Sequence, residues 1–262
     1  MNSCPRRLAA AIAAVSLIAL TLTSARAGSD IGIVVLHGKQ GAAGGRPTAS
    51  FLQALRNAGY MIQAPTMCWA NVRIYDATFP NCMREVDTAV AALRAAGARR
   101  IVVAGHSQGG EAAIVYGAQH PELAGVIALA PAGAPEGMAR NPGVAQSIGQ
   151  ARQMVAAGQG EQRTGFNDTN DGTNFTVTTT PTIYLSFMEV GGPADFPAAL
   201  PQLREPIIWV AGTQDRTQAQ AAALFTRLPP NKLNRFVQVG SAHLDTPAAG
   251  TGSVLEWLST LP

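Results

Sequence analysis

Charged residues are scarce in this sequence, at 13% of 262 residues, and aromatic residues make up only 6%. Cysteine occurs three times, and no second Cys or His pair has the spacing of a zinc site. No cluster of basic residues favours nucleic acid or a phosphorylated substrate. These shortages argue against a metal centre and against a nucleic-acid partner.

Hydrophobic residues, in contrast, make up 47% of the chain. A chain of this length and composition can fill the core of one sizeable domain, so a division into two domains is not required. No internal repeat, long low-complexity tract or linker interrupts it.

The N-terminal residues have the pattern of an export signal. Arg6 and Arg7 precede an apolar run over residues 8–22, and Ala25-Arg26-Ala27 is a small-x-small cleavage site. The alternative is a retained membrane anchor, but the run is short for a full span and no stop-transfer charges follow it. We expect a signal peptide over residues 1–27, a mature domain over 28–262, and a periplasmic or secreted protein without a stable membrane anchor.

The basic character of the chain belongs mainly to this leader. The full sequence has 19 basic and 16 acidic residues, and its pI is about 9.0. Cleavage removes three arginines and no acid, which leaves 16 basic residues and the same 16 acidic ones. The mature protein is therefore close to neutral, and its charge favours neither nucleic acid nor an acidic membrane.

Two cysteines, Cys68 and Cys82, remain after cleavage. In an oxidising compartment they predict one disulfide, which closes a loop of about 15 residues. Two unpaired buried thiols are the alternative.

Apolar strand-length runs alternate with helical patterns along the mature chain. Strands are predicted over residues 31–36, 60–65, 100–104, 125–131, 206–211 and 235–239, and helices over 47–58, 85–96, 108–120, 217–228 and 253–260. This alternation is typical of an α/β protein whose mostly parallel sheet is flanked by helices on both faces. Ligands of such sheets bind at the carboxyl ends of the strands.

The alternation stops between residues 132 and 204, which we interpret as a cap inserted over the strand ends. A helix is predicted over residues 142–157, and residues 165–180 are a polar tract of Asn, Asp, Gly and Thr. Asp168, Asn170 and Asp171 in that tract miss the spacing of a calcium loop, which favours a solvated turn. The apolar side chains of the cap can line an acyl pocket or simply pack the cap onto the sheet: Met154, Phe166, Phe175, Tyr184, Leu185, Phe187, Met188 and Phe196.

A glycine-rich turn joins the third predicted strand to its helix. Gly105, Ser107 and Gly109 form the pattern Gly-x-Ser-x-Gly. At such a sharp turn the residues two positions either side of the serine come too close for a β-carbon, and the hydroxyl stands clear of the sheet. We interpret Ser107 as a nucleophile; the alternative is a tight turn with a buried hydroxyl.

A serine nucleophile needs a base, and the base needs an orienting carboxylate. Asp215 and His243 follow the last two predicted strands, which gives the order Ser, Asp, His of an esterase-type hydrolase. Asp215 could instead serve only as a helix N-cap, and His243 could be a surface histidine. Asp245 and Glu189 are rival acids.

Three further histidines are assigned structural roles. We expect His37 and His106 to brace loops, and His120 to lie at a helix C-terminus.

These motifs, together with Leu36-His37-Gly38 after the first strand, resemble the α/β-hydrolase superfamily over nearly the whole mature chain. The resemblance implies an oxyanion hole formed by the backbone N–H groups of Gln108 and of Lys39 or Gly38. A single glycine after His37, and no leading antiparallel strands, indicate a compact member.

The expected function is that of an exported serine hydrolase acting on carboxylic esters or related acyl compounds as small-molecule substrates, through an acyl-enzyme and without metal or organic cofactor. Two alternatives remain open: an inactive binding module, and a cofactor-free haloperoxidase or lyase on the same fold. The sequence leaves the substrate and the oligomeric state undefined.

Overall fold

A computed structural model describes Met1 and residues 30–262. The predicted signal peptide lies outside these residues, apart from Met1. In the part described, no helix combines the length and apolar character needed to cross a membrane. The strands are β1 (Ile31–Leu36), β2 (Met61–Gln63), β3 (Arg100–His106), β4 (Gly125–Leu129), β5 (Thr164–Asn170), β6 (Thr173–Thr179), β7 (Ile207–Gly212) and β8 (Arg235–Val239). The helices are α1 (Ala49–Asn57), α2 (Phe79–Ala95), α3 (Gln108–Gln119), α4 (Pro135–Met138), α5 (Pro142–Ala156), α6 (Pro181–Met188), α7 (Phe196–Ala199), α8 (Ala221–Phe225), α9 (Thr246–Ala249) and α10 (Thr251–Leu258).

Six strands form one sheet in the order β2-β1-β3-β4-β7-β8, and every neighbouring pair is parallel. The predicted α/β fold with a parallel sheet is therefore confirmed. Because all six strands run the same way, their carboxyl ends lie along one edge of the sheet. The loops after β3, β7 and β8 carry the predicted Ser, Asp and His.

Helices cover both faces of this sheet, as expected. The strands β1, β3, β4 and β7 are therefore buried along nearly their whole length. Alternate residues of a strand point to opposite faces. Ile33 and Val35 of β1 belong to a core cluster with α1 and α10, whereas Val34 and Leu36 belong to a second cluster with α2 and α3.

Helix α2 begins at Phe79, six residues before the predicted start, with Pro80 in its first turn. Proline fits there because the first turn needs no N–H donor. Cys82 consequently lies on α2, where it is bonded to Cys68 with a Cα–Cα distance of 5.8 Å. This disulfide fastens the irregular segment before α2 to the helix itself.

The helix predicted over residues 217–228 is present only in part. The chain forms a 3₁₀ turn at Arg216–Gln218 and then the five-residue helix α8. Gln218 holds the turn against the sheet: its amide donates to the Pro131 carbonyl at 2.9 Å and accepts from Trp209 Nε1 at 3.3 Å. These contacts outweigh the helical propensity of the alanine-rich sequence.

The inserted segment, residues 130–206, carries α4 to α7 and the antiparallel hairpin of β5 and β6. The predicted helix over 142–157 is present as α5, whereas the polar tract over 165–180, in which no strand was predicted, forms β5 and β6. Phe166 and Asp168 of β5, with Val177 and Thr179 of β6, are buried in alternation along the hairpin. A hairpin needs this period of two and tolerates polar residues on its other face.

The expectation of a solvated turn is wrong for Asp168, which is fully buried. Asp171 and Gly172 do form a turn, at the hairpin tip between β5 and β6, and both have positive φ.

Candidate active site

Ser107 lies between β3 and α3 in a conformation rarely adopted by residues other than glycine, with φ 54° and ψ −123°. Its flanking glycines explain how the turn closes. A β-carbon on Gly105 would overlap the Gly109 carbonyl, and one on Gly109 would overlap the Leu36 carbonyl. Larger residues at these two positions would force the turn open. The two glycines of the motif therefore permit the strained conformation of Ser107.

Asp215 and His243 are in direct contact. Nδ1 of His243 lies 2.6 Å from Oδ2 of Asp215. The other carboxylate oxygen accepts hydrogen bonds from Thr217, at 2.9 Å from its backbone N–H and 2.7 Å from its hydroxyl. Asp215 therefore caps the 3₁₀ turn and orients the imidazole at the same time, and the N-cap alternative describes a second role of the same side chain.

Ser107, Asp215 and His243 line one pocket of about 640 Å³ at the carboxyl edge of the sheet. This volume suits a small organic molecule. Among the described residues, no hydrogen bond joins the Ser107 hydroxyl to the imidazole. Hydrogen bonds between catalytic groups are often long in ligand-free enzymes and tighten when substrate binds.

The loop after β1 runs beside Ser107. A β-carbon on Gly38 would lie 3.2 Å from Cβ of Ser107, so glycine permits this approach. In the described part of the chain, the backbone N–H groups of Lys39 and Gln108 donate to no protein acceptor. Gln108 also begins α3, whose N-terminal end favours negative charge.

His37 and His106 brace loops. Nε2 of His37 accepts from the Met67 N–H at 3.0 Å, so Nδ1 carries the proton and donates to the Gly38 carbonyl at 2.8 Å. Nε2 of His106 lies 3.0 Å from the carbonyl oxygen of His243 and donates to it. Burial, reinforced by the charge of His243, lowers the pKa of His106 to about 4, which keeps its ring neutral near pH 7.

Glu111 was not singled out from the sequence. It lies on α3 one turn after Ser107 and is buried, and its Oε1 accepts from the Ala132 N–H at 3.2 Å. Burial raises the pKa of its carboxyl to about 8, so this group is largely protonated at neutral pH. Helical periodicity places Glu111 near the Ser107 turn (residues 105–109), called the elbow below, but the sequence does not show whether its side chain points inward or outward.

In the described part of the chain, Asp215 is the acid that hydrogen-bonds the His243 imidazole, and neither rival acid does. Glu189 is paired with Arg152 on the inserted segment, and Asp245 borders the pocket but is exposed. His120 directly follows α3, as expected, and stacks on Tyr116.

The eight apolar side chains considered for an acyl pocket do not line the pocket that contains Ser107. They pack within the inserted segment and against the sheet. Phe187 and Met188 also border a small cavity beside Glu111.

A family model described as "Alpha/beta hydrolase family" matches residues 33–251. The chain belongs to this family. The match includes the elbow, the loop after β1, Asp215 and His243, and so agrees with the resemblance noted from the motifs. No curated protein sequence matches the chain significantly.

Solved structures share the fold at low sequence identity. The monoacylglycerol lipase of Paleococcus ferrophilus is 16% identical, with a TM-score of 0.65 over 88% of this chain and 94% of its own. A structure of the metagenome-derived lipolytic enzymes LipS and LipT is 19% identical, with a TM-score of 0.61 over 87% and 91%. Est1E from Butyrivibrio proteoclasticus, solved with ferulic acid, is 16% identical, with a TM-score of 0.61 over 88% and 89%. At this identity the likeness concerns the fold.

In the region that the structure describes, no group of three or more His, Cys, Asp or Glu side chains is arranged to hold a metal ion. The pocket brings together the Ser107 hydroxyl, the His243 imidazole paired with Asp215, and the backbone N–H groups of Lys39 and Gln108.

Proposed function

We propose that this protein is an exported serine hydrolase that cleaves small carboxylic esters or related acyl compounds. The observation that carries the proposal is the 2.6 Å contact between His243 and Asp215 in the pocket that also contains Ser107 on its strained turn. A carboxylate-paired imidazole that shares a pocket with a serine hydroxyl is the combination of groups that activates serine.

In the first step the Ser107 oxygen attacks the substrate carbonyl carbon while Nε2 of His243 accepts the hydroxyl proton. Asp215 holds the imidazole in the Nδ1–H tautomer and stabilises its positive charge. The N–H groups of Gln108 and of Lys39 or Gly38 donate to the carbonyl oxygen as it becomes negative. His243 then donates the proton to the leaving alcohol, and an ester of Ser107 remains.

In the second step His243 takes a proton from water, and the hydroxide attacks the acyl-enzyme. Collapse of the tetrahedral intermediate releases the carboxylic acid and returns the proton to Ser107. Water is the only co-reactant, and no external cofactor is required.

The substrate class is supported by the size of the pocket and by the proteins that share the fold, which are named lipase, lipolytic enzyme and esterase. Residues 132–204 would act as the cap that covers the strand ends. Because the large apolar side chains of this segment pack internally, we assign the pocket to a small ester rather than to a long acyl chain.

Export is inferred from the pattern of residues 1–27 and is compatible with the disulfide between Cys68 and Cys82. Disulfides persist in oxidising compartments and are rare in reducing ones.

The test compares the mature chain with Ser107→Ala, using p-nitrophenyl acetate and a fluorophosphonate label. We expect the wild type to turn over the ester and to be labelled at Ser107, and the variant to do neither while keeping its circular dichroism. Turnover retained by the variant would exclude Ser107 as the nucleophile. A wild type that is neither active nor labelled would favour the binding-module alternative.

A further inference from the structure

The side chain of Lys39 leaves the loop after β1 and reaches the inserted hairpin. Its ammonium donates to Oδ1 of Asp168 at 2.7 Å and to the Thr169 carbonyl at 3.0 Å. The two charged residues are 129 positions apart in the sequence. The lysine side chain is 12% exposed and that of the aspartate 0%, so this ion pair is largely shielded from water.

Asp168 is held by two other groups. Its Oδ1 also accepts from the Thr169 N–H at 2.7 Å, and its Oδ2 accepts from the Tyr75 hydroxyl at 3.0 Å. Tyr75 is buried, and its own carbonyl accepts from the Thr179 hydroxyl on β6 at 2.7 Å. These bonds fix the carboxylate, and therefore the position to which the Lys39 ammonium is drawn.

A second link joins the same two parts. The side-chain amide of Asn170 donates to the Lys39 carbonyl at 3.4 Å and to the Gln40 side-chain oxygen at 3.1 Å. The hairpin thus holds Lys39 by its side chain and by its backbone. Gln40 has a φ of 57°, so the loop is bent into a conformation that it needs outside contacts to keep.

We propose that Asp168 is a positioning residue of the oxyanion hole. Through the ammonium of Lys39, it fixes the peptide N–H of Lys39 beside Ser107, where that N–H meets the developing negative charge. This inference rests on the proposed function and adds a role for the hairpin in building the site. Oxyanion-hole donors act because they are preorganised, and loss of one typically lowers kcat by about 10²–10³-fold.

Three variants test the link: Asp168→Asn, Lys39→Met and the two combined. Lys39→Met removes the ammonium but leaves the peptide N–H in the chain. Each single change leaves one charge without its partner, whereas the double variant leaves neither buried charge unpaired. The matched controls are Lys232→Met and Glu161→Gln, which alter exposed residues that do not line the pocket.

The readouts are kcat and KM for p-nitrophenyl acetate and the inhibition constant of an aryl trifluoromethyl ketone. The adduct of this ketone with serine places an oxyanion in the hole, so its affinity reports that site. For each single variant we expect kcat to fall by about 10–100-fold with KM within about threefold, and the inhibition constant to rise by the same factor as kcat/KM falls. The double variant should be no worse than the poorer single one, because both changes remove the same pair. The controls should stay within twofold.

Single variants with wild-type kcat would overturn the inference, and so would a loss of kcat with unchanged ketone affinity. A double variant whose loss is the product of the two single losses would overturn it as well. Circular dichroism identifies variants that fail to fold. If a single variant does not fold, kcat and ketone affinity are compared between the wild type and the double variant, which leaves neither charge unpaired. A wild type without esterase activity or labelling at Ser107 refutes the proposed function, whereas an active wild type with unaffected variants refutes only the role of Asp168.

Discussion

Asp215 contacts His243 through one carboxylate oxygen and Thr217 through the other. One side chain therefore orients the proposed base and also caps the 3₁₀ turn at Arg216–Gln218. Substitution by asparagine separates the two roles, because asparagine remains a good N-cap but presents an amide that favours the wrong imidazole tautomer.

We expect Asp215→Asn to lower kcat by about 10³–10⁴-fold, while the midpoint of urea unfolding changes little. Steady-state kinetics on an aryl ester and urea unfolding measure the two effects. Asp245→Asn, a change at the exposed rival acid, should keep at least half of the wild-type activity. Equal losses in the two variants would remove Asp215 from the mechanism.

Glu111 makes the stability depend on pH. Its pKa of about 8 in the folded protein lies above the ordinary value of 4.5, so between these values the folded state binds more protons than the unfolded state. The contribution of this group to the free energy of unfolding is therefore constant below about pH 4.5. It falls as the pH rises from about 4.5 to about 8, and it levels off at higher pH. The slope approaches about 1.4 kcal/mol per pH unit, a few kcal/mol in total.

Glu111→Gln removes this titration and can still accept from the Ala132 N–H. We expect the variant to unfold at higher urea than the wild type at pH 9, and at nearly the same urea concentration at pH 5. The exposed Glu256→Gln serves as the control and should keep the wild-type pH dependence. If Glu111→Gln also keeps the wild-type pH dependence of stability, burial of the Glu111 carboxyl is not the cause of that dependence.

Much of the fold could be predicted from the sequence because its signals are local. Each central strand is a short apolar run, and the elbow needs glycine at two fixed positions around Ser107. Asp215 and His243 could be chosen because parallel strands end at one edge, so the residues that follow β7 and β8 lie close together.

The rest depends on contacts between distant segments. The hairpin of β5 and β6 reads as a polar tract, because one of its inward positions is Asp168, which is buried with Lys39 and the Tyr75 hydroxyl as partners. The sequence gives no sign of a partner so far away. Likewise, the contacts of Gln218 with Trp209 and Pro131 hold a 3₁₀ turn where propensity alone would begin a helix.

The disulfide between Cys68 and Cys82 closes a loop with a sequence separation of 14. We expect replacement of both cysteines by alanine in the mature chain to lower the free energy of unfolding by about 3 kcal/mol. Activity should fall too, because the loop contains Trp69, whose indole N–H donates to the His37 carbonyl at 2.8 Å.

Urea unfolding with and without dithiothreitol measures the contribution of this bond. Reductant should bring the wild type to the stability of the double variant and leave the variant unchanged. Equal stability of the oxidised wild type and the variant would show that the bond constrains little.

Gly105 and Gly149 form a matched pair for testing the elbow. A β-carbon on Gly105 would overlap the Gly109 carbonyl, whereas one on Gly149, inside α5, would meet no atom within 4 Å. Backbone cannot give way as a flexible side chain can, so Gly105→Ala must open the turn. We expect it to destabilise the fold by about 3 kcal/mol or more and to abolish labelling of Ser107.

Gly149→Ala should stabilise by about 0.5–1 kcal/mol, because alanine favours the helix, and should leave labelling intact. Thermal unfolding and fluorophosphonate labelling of both variants supply the comparison. A labelled, stable Gly105→Ala protein would mean that the turn is not as crowded as the packing of Gly105 against Gly109 requires.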